Sequence, residues 1–479
     1  MKHCQIVGAI LIALGLAACD TQQPPTAPLS PSELNSALGR ATIGINIVLT
    51  GAATPAMLNE LQRYGTVADQ IPEIRAVRVI GPENNLPAIR ALPFVADAAR
   101  DAQVTGTPID PLQATNFENG RSSWNLDAIN VTNPGFDNRV VSADGSGVYV
   151  GVLDTGLLDS WRQYFPQERI AEEYAKSFGG GGALGVGEIS DQPNKWEHDV
   201  GSHGTHVTST ILGYSIFGLP VNGVAPQATV VPVKVLNQTG SGWWSVIAHG
   251  IVYMTQLKLG PLSGAPVVVN MSLGGGGLLD PMAKAAIDYA VANGVILVAA
   301  AGNEGTEGMG YPGAYAPVIS VAATGWVGQW LPGADGVVGN WWWADDVADP
   351  IDPADFYIAG FSSRAKPGQD LDVAAPGTWV VGPYQLQRGK IDYFYLSGTS
   401  MASPHVAGIV ALMAQQNPGL TAAQAESALE ATAVPLPPGT REVAVPGGGK
   451  VKYVWGADAT GHGLVDAQAV LGQKKGGKK

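Results

Sequence analysis

The sequence predicts an α/β protein: a mostly parallel central sheet with helices on both faces, preceded by a small α+β unit. Three observations carry this expectation. Short, predominantly apolar stretches at 147–153, 266–271 and 295–301 alternate with longer stretches of helical periodicity. Strands without polar alternation are those buried on both faces, as in a parallel sheet covered by helices. Polar residues stand where these stretches end, at Asp154, Ser272 and Asn303, and such sheets bind ligands at the carboxyl ends of their strands.

Composition narrows the classes further. Glycine supplies 63 of 479 residues and charged residues only 14%, a balance suited to tight turns and close backbone approaches rather than to a disordered chain. With 27 basic against 40 acidic residues the formal charge is −13, which argues against nucleic acid as a partner. Two cysteines exclude a disulfide scaffold. The length alone predicts about three domains.

Lys2 and His3 precede an apolar run at 6–18, too short for an ordinary membrane span and suited to a signal-peptide core over 1–18. It ends in Leu16-Ala17-Ala18-Cys19, which resembles the lipobox of bacterial lipoprotein signals. That resemblance implies export, with a lipid on Cys19 as the only link to a membrane; the alternative is a secretory peptide with an incidental cysteine. Residues 19–40 read as a flexible tether, and no later stretch has about 20 uninterrupted apolar residues.

Residues 41–105 read as the small unit, compatible with a ferredoxin-like βαββαβ order. A strand is expected at 42–50. Thr54-Pro55 opens a helix carried by Met57, Leu58, Leu61 and Tyr64 and stopped by Gly65. A strand at 74–80, a short helix at 86–92 and an extended piece at 94–104 follow, so three strands are placed. Residues 106–123 read as a linker.

In the large domain, 124–472, strands are expected at 147–153, 229–236, 266–271, 295–301, 318–323 and 371–374. Helices are expected at 204–214, 243–259, 280–293, 400–416 and 421–432. An insertion at about 325–360 carries five of the 12 tryptophans and several aspartates; it reads as a lid packed on the body or as an aromatic flap. Its aspartates match no EF-hand spacing, so structural Ca²⁺ is possible without being assignable, and no metal ligand is named. Residues 473–479 form a basic tail.

Four segments concentrate polar chemistry: Val152-Leu153-Asp154-Thr155-Gly156, Ser202-His203-Gly204-Thr205-His206, Ala301-Gly302-Asn303-Glu304-Gly305 and Ser397-Gly398-Thr399-Ser400-Met401-Ala402-Ser403-Pro404-His405. Singly, each has a structural reading: a turn-capping Asp, paired histidines, an N-cap Ser. Together, in the order Asp, His, Asn, Ser, they resemble the subtilisin-like serine proteases, or subtilases. Gly223-Val224-Ala225-Pro226, Val269-Asn270-Met271-Ser272-Leu273-Gly274 and Tyr311-Pro312-Gly313 extend the resemblance across roughly 124–471. The small domain resembles, more weakly, their inhibitory propeptides.

The resemblance implies a serine endopeptidase with Ser400 as nucleophile, His203 as general base and Asp154 orienting it. Asn303 and the Ser400 N–H would hold the oxyanion. Such chemistry needs an activated hydroxyl, a base titrating near neutrality and preset donors, and no cofactor. Ser272, Leu273 and Gly274 would form one wall of the cleft and Gly240, Ser241 and Gly242 the other, pairing an extended polypeptide by strand addition. Gly310 would open a deep first pocket for large apolar side chains, with Glu304 at its rim. Trp243 and Trp244 would either border a second apolar subsite or cover the following helix. His206 and His405 read as packing residues. The expected precursor is a monomer, inhibited by its own small domain until cut between about 100 and 120. Two rival readings remain: a maturation protease dedicated to one partner, and a non-catalytic, surface-anchored binding protein.

Overall fold

The computed structural model describes residues 41–115, 123–133, 138–179, 194–331, 347–390 and 392–473. Cys19 and the expected signal segment, tether and lysine tail lie outside them, as do Trp341, Trp342 and Trp343. Among the described residues, no helix is long and apolar enough to cross a membrane.

The small domain runs Thr42–Leu49, helix Pro55–Leu61, Thr66–Ile71, Ala76–Pro82, helix Leu86–Arg90 and Val95–Arg100. Its four strands form one antiparallel sheet, with Thr42–Leu49 between Ala76–Pro82 and Val95–Arg100, and Thr66–Ile71 beyond Ala76–Pro82. This is the ferredoxin-like arrangement. Ile43, Ile45, Ile47 and Leu49 alternate onto one face and pack with Leu61, Val79 and Ile89. Thr54 caps the first helix through Met57 N at 3.3 Å. Thr66–Ile71 is the strand that the apolar pattern does not disclose: its register shifts between Val67 and Asp69, so its alternation is broken.

The other face of that sheet is polar and yet buried, against the N-terminal ends of helices Trp244–Leu259 and Pro281–Ala292. Asn46 donates to Asp101 at 3.0 Å and to Asp280 at 2.9 Å, and Arg78 donates to Asp101 at 2.9 Å. Asp101 also accepts from Ser245 N and Oγ at 3.1 and 2.6 Å, which caps the first of the two helices from outside its own domain. Asp280 caps the second through Met282 N and Ala283 N.

The large domain is built on an eight-stranded sheet. Its path runs Phe356–Ile358, Ile319–Trp326, Val295–Ala300, Val267–Met271, Tyr149–Asp154, Thr229–Lys234 and Lys176–Ser177, and Val373–Pro376 also pairs with Ile319–Trp326. Every pairing is parallel except that of Phe356–Ile358. Alternate side chains enter two cores. Val150, Val230, Val268 and Ile296 pack under helices His203–Leu212 and Thr399–Gln416, while Leu153, Val231, Val269 and Leu297 pack under Trp244–Leu259 and Pro281–Ala292. Burial on both faces is why these strands read as unbroken apolar runs.

Two expectations are refined. The helix expected to reach 214 ends at Leu212, because Gly213 takes φ 78° and turns the chain into a hairpin of Gly213–Ile216 with Leu219–Asn222. The 106–123 stretch contains a strand, Ile109–Gln113, paired with Tyr393–Ser397. The described ends of the 325–360 insertion pack on the body: Trp326 stacks on Trp124 at 6.5 Å, and Trp330 meets Tyr395 at 5.0 Å.

Candidate active site

Asp154 is the last residue of the Tyr149–Asp154 strand, and His203 begins the neighbouring helix. Gly204 lets the two elements close up, since a Cβ there would stand 2.3 Å from the Gly156 carbonyl and 3.2 Å from Asp154 Cβ. His203 Nδ1–H donates to Asp154 Oδ1 at 2.8 Å and Oδ2 at 3.0 Å, with both side chains buried. Ser400 is the second residue of the Thr399–Gln416 helix, so its backbone N–H has no acceptor within that helix. Its hydroxyl donates to the Ser272 carbonyl at 3.2 Å, and His203 Nε2 makes no hydrogen bond among the described residues. Ser272 Oγ in turn donates to the Ser400 carbonyl at 2.7 Å.

Burial alone would pull the His203 imidazole down, but the charge and hydrogen bond of Asp154, reinforced by Asp199, outweigh it and raise it above its ordinary value. Asp199 is a residue that the motifs do not single out. Burial pushes it up to about 7, against the pull of Lys234. It accepts from Thr155 Oγ1 at 2.7 Å and Gly201 N at 2.8 Å. Thr155 Oγ1 accepts from Gly204 N at 2.9 Å, and the Thr155 carbonyl accepts from Lys234 Nζ. Thr155 thus ties the end of the Asp154 strand to the start of the His203 helix. The only signal in the sequence was position: Asp199 four residues before His203, and Thr155 beside Asp154.

Asn303 lies in the loop after Val295–Ala300. Its Oδ1 accepts from Thr399 N at 2.9 Å and Thr399 Oγ1 at 3.0 Å. With the oxygen held, Nδ2 is the end of the amide left to donate. His206 and His405 sit outside this arrangement. Burial pulls His206 down to about 3 and His405 down to about 4. His206 Nε2 meets the Val380 carbonyl at 3.1 Å, and His405 lies between the Met401 carbonyl and Asn125.

Both cleft walls are occupied by the chain itself. Gln103–Thr105 pairs antiparallel with Ser241–Trp243, placing Thr105 opposite Ser241 and Val104 opposite Gly242. On the other side Thr105 N donates to the Gly274 carbonyl and Gly274 N to the Thr105 carbonyl, both at 2.9 Å, while Gly106 N donates to the Gly240 carbonyl at 2.8 Å. Beside Ser400 opens a cavity of about 180 Å³ lined by Leu273, Gly274, Gly302, Asn303, Glu304 and Gly310. The Glu304 carboxylate there accepts from Ser363 Oγ at 3.0 Å. Trp243 and Trp244 are buried in the same core as Val104.

Among the described residues, Asp370, Asp372 and Glu426 are the carboxylates close enough to share a cation, with ligand atoms within 4.8 Å of one another. Asp372 just precedes Val373–Pro376 and holds Ser320 N at 2.6 Å. The cluster therefore lies at the amino ends of strands, on the edge opposite Asp154.

A cleft that takes a chain as a middle β-strand and leads it past a helix-borne serine and a buried Asp–His pair is built for cutting polypeptides, and the molecule is a serine endopeptidase. The chain belongs to the subtilase family, whose pattern matches residues 145–467. It is 34% identical to subtilisin DY of Bacillus licheniformis over 296 residues, 61% of this chain and 85% of that protein. It is 32% identical to the extracellular serine proteinase of Thermus sp. strain Rt41A over 368 residues, 76% and 72% of the two chains. In fold it is similar to fervidolysin of Fervidobacterium pennivorans, a keratinolytic enzyme related to subtilisin. The TM-score is 0.62 at 23% identity, over 92% of this chain and 62% of that one.

Proposed function

We propose that the protein is an exported endopeptidase that cleaves extended polypeptides through an acyl-enzyme on Ser400. Ser400 Oγ leaves the Ser272 carbonyl and gives its proton to His203 Nε2 as it bonds to the substrate carbonyl carbon. Asp154 holds Nδ1–H and stabilises the imidazolium. The oxyanion is met by Asn303 Nδ2 and Ser400 N–H, aided by the helix N-terminus. His203 then protonates the leaving amine, and water repeats the sequence to release the acid. Large apolar side chains enter the pocket floored by Gly310, and Glu304 adds attraction for basic ones. The N-terminal domain inhibits by covering the cleft, and a lipid on Cys19 tethers the precursor. The observation that carries this reading is the strand Gln103–Thr105, held between both walls beside Ser400.

The test is reaction with a fluorophosphonate probe and digestion of labelled casein by wild type and Ser400→Ala. Loss of both in the variant is expected; a wild type that stays inert to both after limited proteolysis has removed the N-terminal domain would leave a binding protein on a protease scaffold. Membrane fractionation with Cys19→Ala tests the anchor, and an unchanged distribution would remove it from the account.

A further inference from the structure

The segment that occupies the cleft carries one more inference, which rests on the serine-protease reading above. Its register is fixed on both sides of the reaction centre. Upstream, Thr105 exchanges both backbone hydrogen bonds with Gly274, and Gly106 N donates to Gly240. Downstream, Ile109 stands opposite Ser397, three residues before Ser400, with Leu112 opposite Tyr395 and Gln113 opposite Phe394. Only Thr107 and Pro108 lie between the two anchored arms. Gly106 and Thr107 line both the cavity containing Ser400 and Asn303 and the one containing His203, whereas Pro108 lines only the latter and Ile109 only the former. Gly106 is already held by Gly240, so the unanchored pair is Thr107 and Pro108. The bond offered to Ser400 is therefore Thr107–Pro108.

We propose that this bond resists hydrolysis and that the N-terminal domain is held across the cleft by an uncut proline strap. Acylation requires His203 to pass a proton to the leaving nitrogen. In proline that nitrogen carries a ring carbon where other residues carry hydrogen, and its φ is locked, so the approach of the imidazole is obstructed. The downstream arm also stays bound. Besides the strand pairing, Ala114 N donates to the Tyr393 carbonyl at 2.8 Å and Gln113 Nε2 to Asp392 at 3.1 Å. A freed amine would thus remain beside the acyl-enzyme, placed to re-form the bond.

The experiment follows the full exported chain by intact mass and N-terminal sequencing in wild type, Pro108→Ala and Pro108→Ala/Ser400→Ala, with digestion of labelled casein alongside. Wild type should yield no fragment beginning at residue 108. Pro108→Ala should be cut there, one water adding across the bond to give the Thr107 carboxylate and a new amine. The cut should be about 10²-fold or more faster than in wild type, and absent from the double variant. A wild-type fragment beginning at residue 108 would overturn the proposal. So would a Pro108→Ala chain that digests casein but stays uncut at that bond. A Pro108→Ala chain that does neither would overturn the protease reading itself, and the strap with it.

Discussion

Asn303 Oδ1 accepts two hydrogen bonds from Thr399, one from its backbone N–H at 2.9 Å and one from its hydroxyl at 3.0 Å. Thr399 Oγ1 is also the acceptor for Gly302 N at 3.2 Å, so one threonine joins the asparagine loop to the start of the Ser400 helix. On the mechanism proposed above, the amide would meet the oxyanion without first reorienting, which is where preset donors gain over solvent. Thr399→Val keeps the backbone bond and loses the hydroxyl. A net hydrogen bond is worth about 0.5–1.5 kcal/mol, so kcat should fall roughly 3- to 10-fold with KM little changed. Asn303→Ala should cost about 10²–10³-fold, the range that subtilisin shows for this donor. In the Asn303→Ala background Thr399→Val should have little further effect, and fully additive losses would show that Thr399 does not act through Asn303.

What was legible in the sequence follows from where each residue's partners lie. Val267–Met271 and Val295–Ala300 face two cores, so their own side chains declare them. Ile109–Gln113 contains Asp110 and Pro111, residues that argue against a strand; its pairing is supplied by the edge of Tyr393–Ser397, far along the chain. Asn46 and Arg78 are polar residues in otherwise apolar strands, and they are buried against the helix ends that Asp101 and Asp280 cap. In the site, Asp154, His203, Asn303 and Ser400 stand at element ends with distinctive neighbours. Asp199 and Thr399 gain their roles only from contacts made by folding.

The charge of Asp199 supports the imidazolium of His203. Acylation needs the neutral ring, so kcat/KM should rise with pH through the folded-state pKa of His203, which lies above 6.5. Removing the charge withdraws support from the protonated form and lowers that pKa. Asp199→Asn should therefore move the acid limb of the kcat/KM profile to lower pH, making the variant relatively more active on the acid side. Because Asp199 itself titrates near 7, the two groups titrate as a coupled pair and the wild-type limb should be broader than that of the variant. A limb that keeps its position and shape would show that Asp199 has no electrostatic part in the reaction.

Asp101 is wholly buried between the two domains, where it pairs with Arg78 and caps the helix at Ser245. Asp101→Ala leaves the Arg78 guanidinium buried without its carboxylate, a loss of about 3–5 kcal/mol when one partner of such a pair is removed. The cost falls on the small domain and its docking, since the two cores of the large domain do not include this cluster. Urea unfolding followed by hydrogen exchange should show Thr42–Leu49 and Ala76–Pro82 opening at lower denaturant, while Val267–Met271 and Val295–Ala300 keep their protection. Casein digestion should rise as the cleft is uncovered. Equal loss of protection in both domains would mean that they unfold as one unit.

Gly310 is where a side chain would alter substrate choice with least strain. A Cβ there meets only the Gly275 backbone, its carbonyl oxygen at 3.4 Å and its nitrogen at 3.6 Å, and otherwise projects into the cavity beside Ser400. Gly310→Val should therefore fold normally and fill the pocket with the three carbons of an isopropyl group. Contacts of that size are worth about 1–3 kcal/mol between substrates, so kcat/KM for peptides with Phe or Leu before the scissile bond should fall roughly 10- to 100-fold relative to Ala. Glu304→Gln leaves the volume nearly unchanged and should act on charge instead, lowering the relative kcat/KM for Lys or Arg and sparing Phe. A peptide library read by mass spectrometry separates the two effects. If Gly310→Val left the Phe-to-Ala ratio unchanged, the first side chain would have to bind outside the cavity lined by Gly310.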